Sequence, residues 1–205
     1  AFTDAINMRR FEHAPRYVAI PCGMTNVIAA DCGLKGSPID SLDQFLWRRR
    51  KGDVRQVRRS LMGLRIGARN APIYGFFLGA GAFTSAVKFS RSEVQAMGAK
   101  RSMAMTMTIG GAILNAAFGE KPSEPPFLAE LHSPECPTAG RQPMTMALMT
   151  TLRRLVLGVN PFWGEGPGPL AVTTIGFPAQ RLLGAAPSVL RGKSEPWFEA
   201  AGYRS

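Results

Sequence analysis

A turn near the N-terminus carries the residue types that bind phosphate. It reads Pro21-Cys22-Gly23-Met24-Thr25-Asn26 and lies between a short apolar run and a helical pattern. Gly23 would let the backbone approach a ligand closely, and the first N–H groups of the following helix would point outward without partners. Such donors at the positive end of a helix favour phosphate, and Thr25 and Asn26 would add side-chain hydrogen bonds. An ordinary strand-to-helix turn with Asn26 as the N-cap has the same spacing, so two interpretations stay open.

The elements that must position this turn are predicted from apolar patterns. Residues 1–11 are typical of the end of a helix, and Tyr17 to Ile20 is typical of a strand buried in a parallel sheet. A helix is predicted from Val27 to Gly33. A second begins at Ser37-Pro38, with Ser37 as its cap, and ends at Gly52. Its apolar residues follow helical spacing: Ile39, Leu42, Phe45 and Leu46.

After Asp53 the pattern becomes that of strands. The predicted strands are Val54 to Ile66, Ile73 to Leu78, Met144 to Leu157, Leu170 to Phe177 and a last one from Gly202, with a turn around Ala68 to Asn70. A mostly helical segment is expected at residues 92–118 and a proline-rich loop or edge at residues 121–143.

Composition restricts the class of protein. The chain of 205 residues carries 25 Lys and Arg against 14 Asp and Glu, a net charge of +11, which predicts a surface that attracts phosphate, nucleic acid or anionic membrane. Its three cysteines have no C-x-x-C spacing and indicate reduced thiols in a cytosolic protein. His132 and Cys136 have a ligand-like spacing, but Pro134 and Pro137 interrupt any helix joining them, so no zinc site is predicted.

Three segments, in order, resemble the diacylglycerol kinase family. Pro21 to Leu34, PCGMTNVIAADCGL, resembles the family segment P-x-G-T-x-N-D-x-A-x-x-L-G, which meets nucleotide phosphates and ribose. Phe76 to Gly81 is similar to the family's glycine-rich strand in its second domain. Leu152 to Leu170, with Pro161-Phe162-Trp163-Gly164, is similar to a proteobacterial branch of these lipid kinases.

The resemblance implies an α+β protein of two domains. Residues 1–53 would be the C-terminal part of an α/β nucleotide-binding domain like that of phosphofructokinases and NAD kinases. Residues 54–205 would form a β-sandwich domain with a helical insertion, incomplete at its C-terminus, and the active site would lie between the domains. The family's G-G-D-G-T loop would precede Ala1 and its D-G-E motif would follow Ser205, so the chain is expected to be a fragment truncated at both ends.

The implied activity is transfer of the γ-phosphoryl group of ATP, with Mg²⁺ as cofactor, to the hydroxyl of a diacylglycerol-like lipid. Such transfer depends on positioning and charge stabilisation. The expected partners are the lipid substrate and an anionic membrane surface rather than nucleic acid, with a homodimer as a possible assembly. The expected location is the cytoplasm, peripheral to the inner membrane. The implied site residues are Gly23, Met24, Thr25 and Asn26 for the nucleotide, Gly79 and Gly81 for the substrate cleft, and Glu165 for catalysis.

This chain departs from the family pattern inside its motifs. Met24 replaces the usual Thr and removes one hydroxyl, and Val27 replaces the Asp that usually follows Asn26. Pro167 stands where an Asp-Gly pair is common, and the nearest carboxylate, Glu165, is either a substitute or a solvated loop acid. These departures keep two other hypotheses open: a family member that binds nucleotide or lipid without turnover, and an NAD kinase-like activity.

Three other features each have two interpretations. The basic run Arg48 to Arg59 is either a membrane-facing patch or a solvated helix end followed by an exposed strand face. Trp163 either touches a membrane or plugs the sandwich. The methionine series either lines a lipid-tail pocket or belongs to an ordinary core: Met97, Met103, Met105 and Met107.

Overall fold

The computed structural model of the chain describes residues 2–13, 15–23, 26–67, 71–84, 125–130, 140–155 and 159–205. Helices and strands are mixed along the chain, which confirms the α+β class. Two compact units are present, and each combines separate stretches of the chain. Unit 1 contains Ala1–Phe77, Thr150–Val159 and Gly168–Leu170, and unit 2 contains Leu78–Met149, Asn160–Pro167 and Ala171–Ser205. Residues 54–77 thus cluster with unit 1, while the division into family domains at Asp53 stays a prediction.

In unit 1 a short helix packs on a two-stranded antiparallel sheet. The helix is α1 (Phe2–Asn7), and the strands are β1 (Met62–Leu64) and β2 (Ile73–Gly75), with Gly63 opposite Tyr74. The Phe2 ring meets the ring of Phe76 edge-on at 5.2 Å. The Tyr74 backbone N–H donates to Thr3 Oγ1 at 3.0 Å, so the first turn of α1 is fixed to β2. The predicted pair of strands is therefore confirmed, and both strands are shorter than predicted.

The segment Tyr17 to Ile20 is not a strand, so this prediction was wrong. A strand needs a hydrogen-bonded neighbour. The strands described in unit 1, β1 and β2, pair with each other and not with Tyr17 to Ile20. Tyr17 and Val18 stay exposed, and the Tyr17 ring rests against Phe2 at 4.6 Å. An apolar run alone cannot supply the partner that a sheet requires.

The two helices predicted after the turn are both present. They are α2 (Val27–Asp31) and α3 (Pro38–Arg50). Ser37 Oγ accepts a hydrogen bond from the Asp40 N–H at 3.1 Å, which confirms Ser37 as the N-cap. Gly52 follows α3 with φ of 71°, a left-handed conformation that favours glycine after a helix end.

Unit 2 is built on a five-stranded sheet. The strands follow the order β3-β5-β6-β7, and β4 pairs with the beginning of β5. Their bounds are β3 (Phe77–Gly81), β4 (Phe127–Ala129), β5 (Gln142–Thr150), β6 (Ala171–Gly176) and β7 (Tyr203–Arg204). Five consecutive residues of β5, from Met144 to Leu148, are buried, as expected of a central strand covered on both faces. The predicted strands from Met144, Leu170 and Gly202 are therefore confirmed.

A helix that the sequence patterns did not predict completes unit 2. It is α4 (Leu182–Leu190), whose Ala185 and Val189 are fully buried one turn apart. Gly184 and Pro187 both disfavour a helix, which explains why the pattern was missed. Helical conformation here is favoured by the burial of its apolar face.

An aromatic cluster fills the space beside α4. Phe198 lies 5.2 Å from Trp163, 4.9 Å from Trp197 and 4.9 Å from Tyr203 between ring centroids. Trp163 is half-buried in this cluster against the Phe198 ring, and its two interpretations, a plug of the sandwich and a membrane-touching residue, both stay predictions. Three features discussed above lie outside the described residues: the predicted helix at residues 92–118, the methionine series and the His132–Cys136 pair.

Candidate functional site

The turn before α2 closes on itself through the Asn26 side chain. Asn26 Oδ1 accepts a hydrogen bond from the Gly23 N–H at 2.7 Å. Asn26 itself has left-handed backbone angles, φ 48° and ψ 31°, which asparagine tolerates better than most residues. Met24 and Thr25 lie outside the described residues. The turn is therefore a closed loop fixed at its two described ends, Gly23 and Asn26.

The structure confirms Asn26 as the N-cap residue of α2, but without a capping bond from its side chain. Asn26 occupies the N-cap position, but its side chain makes no hydrogen bond to the helix, because it is engaged by Gly23. Its backbone carbonyl accepts from the Ala30 N–H at 3.0 Å, which starts the helical ladder. Helix geometry leaves the first N–H groups of α2 without intrahelical partners, and the Asn26 side chain does not bind them.

Gly23 is not required by the protein's own packing. Its φ lies outside the left-handed region, and a Cβ atom there would meet only Asn26 Oδ1, at an ordinary 3.5 Å. Among the described residues, no steric reason for glycine at this exposed position is found. The expectation that Gly23 permits close approach of a ligand stays a prediction.

At the other end of α2, Asp31 is the centre of a buried hydrogen-bond network. Its side chain has no exposed surface, and Asp31 Oδ2 lies 2.5 Å from Arg59 Nε, whose side chain is 15% exposed. Asp31 Oδ1 accepts from the backbone N–H groups of Arg153 and Arg154, at 3.0 and 2.9 Å. The carboxylate thus has three donors and a paired charge, which is what burial of a charge demands.

This network ties together three stretches of unit 1 that are distant in sequence. It joins α2 to Arg59 before β1 and to residues 153–154 after β5. Since α2 has only five residues, about 7.5 Å of helix, the network fixes the helix that begins at the turn. Arg153 and Arg154, whose backbone N–H groups meet Asp31 at the C-terminal end of α2, are both exposed.

The sequence reasoning did not single out Asp31, Arg59, Arg153 or Arg154. One signal was present: Asp31 directly follows the apolar residues Val27 to Ala30 in the same helix. A lone acid beside apolar residues is seldom buried without a cationic partner. Its partners could not be found by spacing, because they lie 28 and 122 residues away.

Cys32 is affected by the same network. Burial raises the pKa of its thiol above the ordinary value, the neighbouring Asp31 charge raises it further, and Arg59 lowers it. Cys32 therefore stays protonated at neutral pH and is a weak nucleophile. Cys22, in the turn, is exposed and is also a free thiol.

The predicted substrate-cleft residues, Gly79 and Gly81, lie on β3 of unit 2. At both positions the surrounding side chains and backbone leave no room for a Cβ atom. A Cβ at Gly79 would collide with the Phe83 ring. Gly81 has φ of 67°, and a Cβ there would collide with the backbone oxygen of Thr145 and the Phe127 ring. Close packing accounts for both glycines, and their contact with a substrate stays a prediction.

Glu165, the predicted catalytic carboxylate, is exposed on an irregular segment of unit 2. Directly before it, the backbone N–H groups of Trp163 and Gly164 donate to Ser205 Oγ, at 3.0 and 3.2 Å. These bonds fix the segment to β7. Glu165 and Pro167 both face solvent there, and a catalytic role for Glu165 stays a prediction.

A magnesium site does not fit the residues described near the turn. Among the described parts of the chain, no group of three or more His, Cys, Asp or Glu side chains could hold a metal ion. The carboxylate nearest in sequence, Asp31, is already neutralised by Arg59 and saturated by backbone donors. Asp31 is therefore not free to bind Mg²⁺, and the Mg²⁺ requirement stays a prediction.

The basic run divides into two parts in the structure. Residues 48–58 are all exposed. Arg59 instead turns into the protein and pairs with Asp31. The segment between α3 and β1 is irregular, so the expected strand over Val54 to Ile66 is realised only at Met62–Leu64.

Comparison with protein-family models, curated proteins and solved structures finds no match for this chain. Within the described residues, no helix combines the length and apolar character needed to span a bilayer.

Proposed function

We propose that this protein is an ATP-dependent kinase of the diacylglycerol kinase type, which phosphorylates the hydroxyl of a diacylglycerol-like lipid. The observation that carries the proposal is the turn from Gly23 to Asn26, whose ends are joined by the Gly23–Asn26 hydrogen bond and which leads directly into α2, where the Asn26 side chain does not cap the first N–H groups. Donors in this arrangement favour a nucleotide's phosphates.

Two features of unit 1 support the turn as the nucleotide site. The Asp31–Arg59 network fixes α2, so the turn is held before any ligand arrives, and a preorganised site loses less conformational entropy on binding. Arg153 and Arg154 add two exposed cations near the helix, which favours an anionic ligand.

The finer architecture belongs to the same proposal. Unit 1 would contain the remaining part of a phosphofructokinase-like nucleotide domain, and the sheet of unit 2 would belong to the lipid-kinase β-sandwich. Phosphoryl transfer needs little covalent help from protein, because its transition state is stabilised mainly by positioning and charge. The N–H groups of α2 and the side chains of Thr25 and Asn26 would bind and orient the phosphates.

A second candidate is a protein that binds nucleotide without turnover. It is favoured by one observation: the buried Asp31 carboxylate is fully engaged, and the described residues around the turn offer no other carboxylate to act as a base. The two candidates make different predictions in a single set of assays.

The test uses MgATP binding by calorimetry and transfer of labelled phosphate from ATP to a panel of acceptors containing diacylglycerol, long-chain bases and NAD. Replacing Asn26 by Ala removes the hydrogen bond that joins the ends of the turn and should weaken ATP binding about tenfold, the value of one lost hydrogen bond at the upper end of its usual range. Replacing Asn7 by Ala, which removes another exposed amide hydrogen bond of unit 1, should leave ATP binding unchanged.

Transfer to a neutral lipid would support the kinase, ATP binding without transfer would support the binding protein, and labelled NAD would support NAD kinase-like activity. A chain that binds no ATP, or binds it equally with Asn26→Ala, would contradict the phosphate role of the turn.

A further inference from the structure

Helix α3 presents an apolar row to solvent. Ile39, Leu42 and Leu46 are 72%, 45% and 37% exposed. Their i, i+3, i+7 spacing places them on one face of the helix. The face that α3 turns toward unit 1 is a different one, because Ser41 is fully buried and Phe45 half-buried. An amphipathic helix normally buries its apolar row, so this row needs a cover.

Positive charge follows the row directly. Six cations on the exposed segment 48–58 accompany a single acid, Asp53: Arg48, Arg49, Arg50, Lys51, Arg55 and Arg58. Helix α3 adds two exposed acids, Asp40 and Asp43, so the six cations and three acids of residues 38–58 give a net charge of +3. Trp47 is 54% exposed at the junction, and Lys51 Nζ lies 4.4 Å above its ring. Val54 and Val57 are 36% and 37% exposed among the cations, so apolar and basic side chains remain interleaved along the segment.

We propose that α3 and residues 48–58 bind the surface of an anionic lipid bilayer, with α3 lying in the interface and its apolar row inserted. This surface is called the α3 face below. An exposed aliphatic row, a tryptophan and clustered arginines are the composition of interfacial helices. Negative lipid headgroups complement the six cations, and the acyl region provides the apolar cover that the row lacks.

Nucleic acid explains the α3 face less well. Phosphates would complement the cations, but a nucleic acid has no apolar region to cover Ile39, Leu42 and Leu46. Single-stranded binding uses aromatic side chains along the groove, and Trp47 is the one aromatic residue between Leu46 and Ser60. The inference does not depend on the kinase proposal, because it concerns a surface and not the turn.

The test is co-sedimentation of the full 205-residue chain with vesicles of mixed phosphatidylglycerol and phosphatidylcholine, and with vesicles of phosphatidylcholine alone. We expect binding to the anionic vesicles only. Each cation lost from the α3 face should weaken binding about fivefold, so Arg48→Gln, Arg49→Gln and Arg50→Gln together should weaken it about 100-fold. The matched control removes the same charge from exposed positions of unit 2, Arg191→Gln, Lys193→Gln and Arg204→Gln, and should have little effect.

A second variant separates insertion from charge. Ile39→Ser, Leu42→Ser and Leu46→Ser together keep every cation and should weaken vesicle binding at least tenfold while leaving heparin binding intact. Because these side chains are exposed, circular dichroism should show an unchanged fold. In the unmodified chain, brominated lipids should quench the tryptophan fluorescence that Trp47→Phe removes.

Three results would overturn the proposal. Binding that falls equally for the unit 2 control would indicate a general effect of net charge. Tighter binding to single-stranded nucleic acid than to anionic vesicles, lost in the Ser variant, would identify nucleic acid as the occupant. A concentration-dependent dimer in sedimentation velocity, abolished by the Ser variant, would show that a second copy covers the row.

Discussion

At the scale of single residues, Asp31 determines how unit 1 holds together. A buried carboxylate is costly unless it is paired and hydrogen-bonded, and Asp31 meets both conditions through Arg59 and the N–H groups of residues 153 and 154. Asn26 has the corresponding role at the turn, where its side chain is engaged by Gly23. One residue thus anchors the far end of α2 and the other shapes the near end.

Replacement of Asp31 by Asn should destabilise the protein by about 3 kcal/mol, because it leaves the part-buried Arg59 charge without a partner. Urea unfolding followed by circular dichroism measures the change. Replacing the exposed Asp43 by Asn is the matched control and should change the free energy of unfolding by less than about 0.5 kcal/mol.

The double variant Asp31→Asn, Arg59→Met tests the reason for the loss. Removing both charges should cost less than the two single losses added together, because neither charge is then buried alone. Simple additivity would show that the pair is not coupled, contrary to the 2.5 Å contact.

The Tyr203 hydroxyl should ionise at unusually high pH. Its side chain is buried, its hydroxyl donates to the Gln180 carbonyl at 2.6 Å, and burial raises its pKa to about 12. Since the folded pKa lies above the ordinary value of 10.0, the contribution of Tyr203 to stability is complete below pH 10 and is lost as pH rises toward 12.

Tyrosinate absorbance measures this titration, and the chain has three tyrosines. Tyr203→Phe should remove the ionisation step at the highest pH and leave the steps at lower pH unchanged. A curve that completes well below pH 12 in the folded protein would contradict the burial argument.

At the scale of elements, α3 and α4 form for different physical reasons. Ser37 and Gly52 delimit α3 by local hydrogen bonding and backbone conformation alone. Helix α4, by contrast, contains Gly184 and Pro187 and forms because Ala185 and Val189 are buried. Local signals therefore predict α3, while only the surrounding unit explains α4.

The left-handed glycine at the end of β3 gives a test at this scale. Gly81→Ala should destabilise the protein by more than about 3 kcal/mol, because it adds both a strained φ and a collision with the Thr145 carbonyl. Gly52→Ala is the matched control: its φ of 71° is similar, but no atom lies within 4 Å of the added Cβ. It should cost only about 1–2 kcal/mol.

Thermal and urea unfolding give the free energy of unfolding of the two variants. The difference between them separates the backbone strain, which both share, from the collision, which only Gly81→Ala has. Equal losses at the two positions would mean that the collision at Gly81 is relieved by a small shift, and that glycine there serves something other than packing.

At the scale of the whole molecule, charge and exposed apolar surface are unevenly placed. The net charge of +11 includes six exposed cations in the last turn of α3 and the segment after it, and the apolar row of α3 precedes them. In unit 2, the sheet and the aromatic cluster bury their apolar side chains, as Phe198 and Tyr203 show. The aromatic side chains of Phe198 and Tyr203 in unit 2 are thus buried, whereas α3 in unit 1 keeps an apolar row exposed.

The sequence by itself determined the features that depend on neighbouring residues. It predicted the capped helix at Ser37, a turn before Val27, the strands at Met144 and Leu170, and the basic segment after Trp47, because capping, period and charge are local properties. Tertiary structure decided the rest. Tyr17 to Ile20 found no strand partner, α4 formed against its own propensity, and Asp31 paired with groups up to 123 residues away. Pairing and burial depend on which distant segments meet, and spacing along the chain does not contain that information.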